Sequence, residues 1–395
     1  MNGRTLQLYE IFLRRLNREN LNFFSVLPKS DFMKIMKHFT HVVLFLLLFS
    51  FAFITVAHAF DEADPHNTYQ WPGDDGDWFE WWYYKVVDPS TGESFFFTYG
   101  IVNPWDFEKD NAMVQVGNYG QHLSSTHHFP VGEFFASSDS TDVYIGENTA
   151  TDKRITGHFQ EADGSKISWD LSINKEWSFN AMGWTMNYPG ISGIFWYPAQ
   201  ASATMNGWIR YGEKTYVLAN APAYQDRNWG RSFPKWWTWL VSNNFKNSPG
   251  TVLAAGGGDP KIFNAVHLIS GLSVGLKYKD KEYAFRTPDG DHFDFDIKWG
   301  KWEVTASNNT NKIEISAYAP KEKFLLLPFQ TPAGEEFYDY ETLTGQMTVR
   351  LYTYDSDKSD WALLTTLETD EAGIEWGSPT PVDFDKLFEM KTTLQ

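Results

Sequence analysis

The sequence predicts an all-β protein built from two tandem β-barrel or β-sandwich domains. Three observations predict it. Apolar and polar residues alternate at period two along most of the chain. Turn-forming clusters separate the alternating runs, the pattern of a sandwich or a barrel. An aromatic strand near residue 80 is echoed near residue 235, as two similar domains would require.

The strands can be taken in order. Phe95-Phe96-Phe97-Thr98-Tyr99 is apolar throughout and predicts a buried strand. Residues 283–295, broken by Thr287-Pro288-Asp289-Gly290, predict a hairpin. Trp302-Glu303-Val304-Thr305-Ala306 and Ile313-Glu314-Ile315-Ser316-Ala317 flank Asn308-Asn309-Thr310-Asn311 and predict another. Met347-Thr348-Val349-Arg350-Leu351-Tyr352 alternates cleanly, and residues 383–390 suggest a short terminal helix. The echo pairs Glu80-Trp81-Trp82-Tyr83-Tyr84 with Lys235-Trp236-Trp237-Thr238-Trp239. The domains are expected over residues 60–228 and 229–395.

Ahead of them, residues 39–59 form one uncharged, mostly apolar run, preceded by Lys34, Lys37 and His38 and ended by Ala57-His58-Ala59. This is the order of a secretory signal peptide, so residues 1–59 are expected to be an upstream extension plus leader, and the protein periplasmic or secreted. Met33 or Met36 would be a natural start for such a leader. The run is also long enough to cross a bilayer, so an uncleaved N-terminal anchor is the alternative. N-terminal sequencing of the exported chain should read from Phe60; residues upstream of Val42 on it would establish the anchor.

Composition narrows the function. The chain of 395 residues carries 18 Trp, 19 Tyr and 32 Phe, well beyond the needs of a core. Strand-rich folds favour aromatics, and large apolar pockets are lined by them. Residues 1–59 hold seven of the 33 basic and three of the 50 acidic residues, which leaves 26 against 47, a net charge of −21, on the remainder. Such a surface repels phosphates, so no nucleic-acid partner is expected, nor docking on anionic lipid headgroups. The expected partner is a hydrophobic small molecule, with membrane contact only through an uncleaved leader or substrate access. There is no Cys, so disulfides, thiol catalysis and Cys-ligated zinc are excluded. No cofactor or metal is expected: adjacent His127 and His128 would point to opposite faces of a strand, and Gly256-Gly257-Gly258 lacks the Lys of a phosphate loop and suggests a turn.

Two segments place polar residues inside aromatic surroundings. In Asp77-Trp78-Phe79-Glu80-Trp81-Trp82-Tyr83-Tyr84-Lys85, a strand would put Glu80, Trp82 and Tyr84 on one face. A carboxyl boxed in by indoles has its charged form disfavoured and can serve as a general acid. The alternative is that Glu80 pairs with a basic residue. In Ala223-Tyr224-Gln225-Asp226-Arg227-Asn228-Trp229-Gly230, an extended chain would align Tyr224, Asp226 and Asn228, with Trp229 close by. Here the alternative is that Asp226 and Arg227 cap a domain junction by hydrogen bonds.

The first segment, with Ser94-Phe95-Phe96-Phe97-Thr98-Tyr99 and Asn103-Pro104 after it, resembles the opening of tocopherol cyclases, F-E-G-W-Y-F/Y-K, then S-F-x-F-x-Y and N-P. Asp226-Arg227-Asn228-Trp229-Gly230, then Phe233-Pro234, Trp237 and Trp239, resembles their E-K-N-W-G-x-x-F-P-x-x-W-x-W block, and Gly207-Trp208-Ile209 a G-W-I. Tyr224-Gln225-Asp226-Arg227-Asn228-Trp229-Gly230 is also similar to the Y-x-D-x-N-W-G run of the related carotenoid hydratases (hydroxyneurosporene synthases). The resemblance covers residues 78–245. The chain departs from the cyclases at Asp226, where they carry Glu, and at Trp81, where they carry Gly; the extra ring would narrow a pocket.

The resemblance implies a pair of lipocalin-like β-domains. It implies chemistry in which a trisubstituted alkene is protonated and the tertiary cation is captured by oxygen, from the substrate's phenol in a cyclase or from water in a hydratase. Alkenes are very weak bases, so the acid must be held neutral in a dry pocket, and aromatic faces stabilise the cation. On this analogy Asp226 is the proton donor, Tyr224 its hydrogen-bond partner and Glu80 a reserve acid. Trp196, Tyr197 and Trp229 would face the cation, with Trp82 and Asn228 lining the pocket. Two rival readings remain: a non-catalytic exported carrier of an isoprenoid, quinone or other lipid, which needs the pocket and not the acid, and a different pericyclic or isomerising enzyme on the same scaffold.

Overall fold

The computed structural model describes residues 66–383, with positions 189, 264 and 269 excepted. The leader lies outside the described residues, and of the suggested terminal helix only Asp383 lies within them. Strands make up most of the described chain, with very little helix. The first eleven strands are β1 (Phe79–Val87), β2 (Ser94–Val102), β3 (Ala112–Asn118), β4 (Leu123–Phe129), β5 (Phe134–Ala136), β6 (Asp142–Ile145), β7 (Asn148–Thr151), β8 (Arg154–Gln160), β9 (Lys166–Trp177), β10 (Ile194–Tyr211) and β11 (Lys214–Gly230). They form one sheet in the order β4-β3-β2-β1-β11-β10-β9-β8-β7-β6-β5, which curls into a nearly closed barrel.

The second set is β12 (Trp237–Ser242), β13 (Val252–Gly258), β14 (Lys261–Ile262), β15 (Val266–His267), β16 (Gly271–Tyr278), β17 (Lys281–Arg286), β18 (His292–Lys298), β19 (Lys301–Ser307), β20 (Asn311–Tyr318), β21 (Leu325–Gln330), β22 (Glu336–Asp355) and β23 (Asp360–Ser378). Most of them form a half-barrel sheet in the order β17-β16-β13-β12-β23-β22-β20-β19-β18, with β21 on β22 and β14-β15 a separate pair. The fold is two lipocalin-like β-domains.

The aromatic echo marks equivalent places in the two sheets. β1 sits between β2 and β11, and β12 between β13 and β23. In each case the first strand of the sheet pairs with its second and its last.

Period two decides which core each side chain enters. Trp82, Tyr84 and Val86 of β1 point into the first barrel, alongside Phe95, Phe97 and Tyr99 of β2. Phe79, Trp81 and Tyr83 point the other way, into an apolar layer shared with Trp239, Val241 and Leu343 of the second sheet. β1 and most of β2 are therefore buried on both faces, which is why their sequences are almost unbroken runs of aromatic and aliphatic residues.

Two expectations are corrected. Residues 283–295 contain two strands and a turn, but not a hairpin: β17 pairs with β16, and β18 with β19. These strands are opposite edges of the half-barrel, and the short 3-10 turn Thr287–Asp289 carries the chain between them. Alternation fixes strands and turn signals fix turns, but neither names a strand's partner. Gly256, Gly257 and Gly258 are not a turn; they end β13. A Cβ on Gly256 would meet the Trp196 ring at 3.0 Å, and Gly257 has a φ of 154° with Gly271 O 2.1 Å from where its Cβ would stand. Bare backbone is needed there because the Trp196 ring of the first sheet closes on Gly256 and the adjacent strand β16 on Gly257. The Asn308 turn is as expected: its Oδ1 accepts from the Thr310 and Asn311 amides at 3.0 and 2.9 Å, joining β19 to β20.

Candidate functional site

Between the sheets lies a cavity lined by Trp81, Tyr83, Trp196, Asp226 and Asn228 from the first sheet and by Trp237, Trp239, Asp339, Glu341 and Glu375 from the second. Register builds the first wall. On β11, Tyr224, Asp226 and Asn228 share one face. Tyr83 of β1 stands opposite Asp226, and Trp81 opposite Asn228. From the other side, Trp196 of β10 stands opposite Asn228.

Asp226 is buried at the centre of this wall. Its Oδ2 accepts from the Trp196 indole N–H at 2.7 Å and from the Tyr224 hydroxyl at 2.9 Å. The Tyr224 oxygen in turn accepts from the Trp239 indole at 3.1 Å, so the second sheet orients the hydroxyl. Burial pushes the Asp226 carboxyl up to about 7, against the pull of the donors from Trp196 and Tyr224. The Trp239 indole also favours the ionised form of this carboxyl, and burial outweighs all three donors.

The opposite wall was not foreseen. Asp339 and Glu341 alternate along β22, and Glu341 stands opposite Glu375 of β23. Both hydroxyls of Tyr83 and Tyr119 donate to Glu341 Oε1, the latter at 2.6 Å. The Trp237 indole donates to Asp339 Oδ1 at 3.2 Å, and Asp339 shares a hydrogen bond with Glu375. Burial, followed by repulsion from the neighbouring acid, pushes Asp339 and Glu375 well above the carboxylate range. Burial takes Glu341 only to about 7, because the two tyrosine hydroxyls favour its ionised form. Oxygens of the three acids lie within 4.8 Å of one another, a spacing that would admit a cation. The donors already aimed at them make the set a hydrogen-bonded acid cluster rather than a metal centre. A signal existed: acids alternating with rings in Tyr338-Asp339-Tyr340-Glu341 repeat the pattern that singled out Asp226.

Of the residues picked from sequence, Asp226, Asn228 and Trp196 line the cavity, and Tyr224 stands behind them, hydrogen-bonded to Asp226. Glu80, Trp82, Tyr197 and Trp229 are on the far side of the same strands. There the Glu80 carboxylate is ion-paired with Arg227, both fully buried. Glu80 also accepts from the Gln70 amide at 2.9 Å and the Trp78 indole at 3.1 Å. The Arg227 guanidinium lies over the Trp82 and Trp229 rings, 4.3 and 5.1 Å from their centroids, and Trp229 stacks on Phe195. Tyr197 packs there with Trp78 and Trp229. Asp226 faces the cavity, while Arg227 does not cap the domain junction: it fastens the segment before β1 through the His66 and Thr68 carbonyls.

Comparison with known proteins gives the family. A family model described as tocopherol cyclase-like matches residues 143–378. The chloroplastic tocopherol cyclase of Zea mays is 25% identical over 368 residues, covering 79% of this chain and 77% of its own. Among solved structures, kievitone hydratase from Nectria haematococca is 11% identical and superposes with a TM-score of 0.48, covering 83% of this chain and 95% of its own. With more than half of its length matched by the family model, the chain belongs to the tocopherol cyclase-like family.

Proposed function

We propose that this chain is an enzyme that protonates an isoprenoid alkene and lets oxygen add to the resulting cation, by cyclisation of a prenylated quinol or hydration of a carotenoid-like polyene. One observation carries the reading: a carboxyl group lies buried in an aromatic cavity, oriented by the Trp196 and Tyr224 donors on its Oδ2, and burial pushes it up to about 7. An alkene demands a neutral, dry acid, and Asp226 meets that demand. The rings of Trp81, Trp196 and Trp239 line the same cavity. Such faces stabilise a desolvated cation by roughly 0.5–2 kcal/mol each and are poor nucleophiles. The match to a Zea mays protein named tocopherol cyclase supports the same class.

The test is to incubate the full chain with a prenylated hydroquinone and, separately, an acyclic carotene. Cyclisation gives a product of unchanged mass; hydration gives one heavier by a water. Tight binding of both without conversion would sink the enzyme reading and leave a carrier.

Trp196 provides a graded check, because it is both a ring in the cavity and a donor to Asp226. Trp196→Leu removes ring and donor, and turnover should fall about 2- to 30-fold. Trp196→Phe keeps a ring but removes the donor that favours the Asp226 carboxylate, so its carboxyl should titrate higher. The alkaline limb of the pH–rate profile should then move upward. An unmoved limb would show that Asp226 is not the titrating acid.

A further inference from the structure

Addition of oxygen to a protonated alkene has a second proton to manage. Asp226 delivers one to carbon, and the attacking O–H must lose one once its oxygen bonds to the cation. We propose that Glu341, across the cavity from Asp226, is the general base that takes this proton. The inference rests on the reading of Asp226 above.

Geometry supports the pairing. Tyr83 stands opposite Asp226 in the first sheet and donates its hydroxyl to Glu341 of the second. Both carboxyl groups line one cavity, on opposing walls. A substrate between them would meet an acid on one side and a base on the other. The groups facing Glu341 decide which acid of its cluster holds negative charge. Tyr83 and Tyr119 both donate to it. Lys85, buried on the Tyr83 face of β1, also favours its ionised form. Asp339, Glu375 and Asp226 oppose ionisation by like charge. Burial holds Asp339 and Glu375 well above the carboxylate range, which leaves Glu341, with its two tyrosine donors, as the member best able to be a carboxylate.

The step balances without a co-reactant. The alkene π pair takes the Asp226 proton as a new C–H bond, leaving a tertiary cation and the Asp226 carboxylate. A lone pair of the phenol or water oxygen forms the C–O bond, and the O–H electrons stay on oxygen as the proton passes to Glu341. Proton return from Glu341 to Asp226 restores the starting state.

The experiment separates the two halves of the reaction. The full chain is given a prenylated hydroquinone in D2O, and alkene deuteration and ring closure are followed by mass spectrometry, with affinity followed by tryptophan fluorescence. Wild type should do both and Asp226→Asn neither. Glu341→Gln should still deuterate or isomerise the alkene to within a few-fold, while closure falls about 10²-fold or more. Undiminished closure in Glu341→Gln would overturn the assignment and leave Asp226 standing. Loss of deuteration as well, with binding intact, would also overturn it and make Glu341 a positioning residue for Asp226. Wild type that neither deuterates nor closes would overturn the Asp226 reading and this inference together. Tyr119→Phe gives a reading even if Glu341→Gln does not fold. It removes one donor from the Glu341 carboxylate, so the acid limb of the closure rate should move to higher pH, and an unmoved limb overturns the proposal.

Discussion

Asp226→Asn is expected to abolish turnover, by about 10²-fold or more, while changing ligand affinity little. Asparagine keeps the shape and can still accept from Trp196 and Tyr224, but it has no proton to give an alkene. Affinity comes mainly from the apolar walls, which the substitution leaves intact. The same variant should change how stability depends on pH, and the sign can be worked out. In the folded chain the carboxyl is raised to about 7, whereas in the unfolded chain it titrates near its ordinary value of about 3.9. Between those values the folded state holds a proton that the unfolded state has released. Stability from this group is therefore full below about 3.9 and declines as pH rises through about 7. Asparagine has no charge to bury, so the variant should lose less stability than wild type on going from about pH 5 to about pH 9. Steady-state turnover and melting temperature across that range check both halves. Equal activity in wild type and variant would remove Asp226 from the chemistry. Parallel melting curves would mean that it is not a buried neutral acid.

Strand alternation is what made half of this site legible. Tyr224, Asp226 and Asn228 share a face because β11 is extended, and nothing beyond period two was needed to see it. The same rule places Glu80 with Trp82 and Tyr84, as the sequence predicts. What alternation cannot supply is which face of one strand meets which face of another. The β1–β11 register puts Glu80 opposite Trp229 and Trp82 opposite Arg227, so those residues gather behind the cavity. Trp196 and Tyr197 are neighbours on β10 and must part for the same reason, one to each side. The acidic strand of the second wall shows in the sequence, but its meeting with Glu375 and with the first wall does not, because that comes only through the pairing of β22 with β23 and the packing of one sheet against the other. The glycines of β13 misled for a related reason. Gly-Gly-Gly signals freedom in a chain, whereas here neighbouring backbone of the same sheet and the Trp196 ring of the other exclude side chains from a strand.

Glu80→Gln is expected to be the most destabilising single change among the residues discussed, costing about 3–5 kcal/mol. The pair it breaks is fully buried on both sides. Burial pushes the Glu80 carboxyl up to about 7, and the Arg227 guanidinium in contact with it pulls the other way. A neutral Glu80 would strand a guanidinium, which cannot shed its proton, inside the fold. The pair is therefore held ionised by mutual need, and removing either charge exposes the desolvation penalty of the other. Arg227 also holds the His66 and Thr68 carbonyls, so the segment leading into β1 should loosen when the guanidinium loses its counter-ion. Arg227→Met in the Glu80→Gln background takes away the stranded charge and should recover part of the loss. Chemical denaturation of the two single variants and the double variant measures the coupling directly. Folded Glu80→Gln should still turn over substrate, because its side chain lies behind the sheet that carries Asp226 and does not line the cavity. A near-zero coupling energy would mean that the pair is not the buried clamp the structure places there. An inactive but stably folded Glu80→Gln would instead return Glu80 to candidacy as the acid.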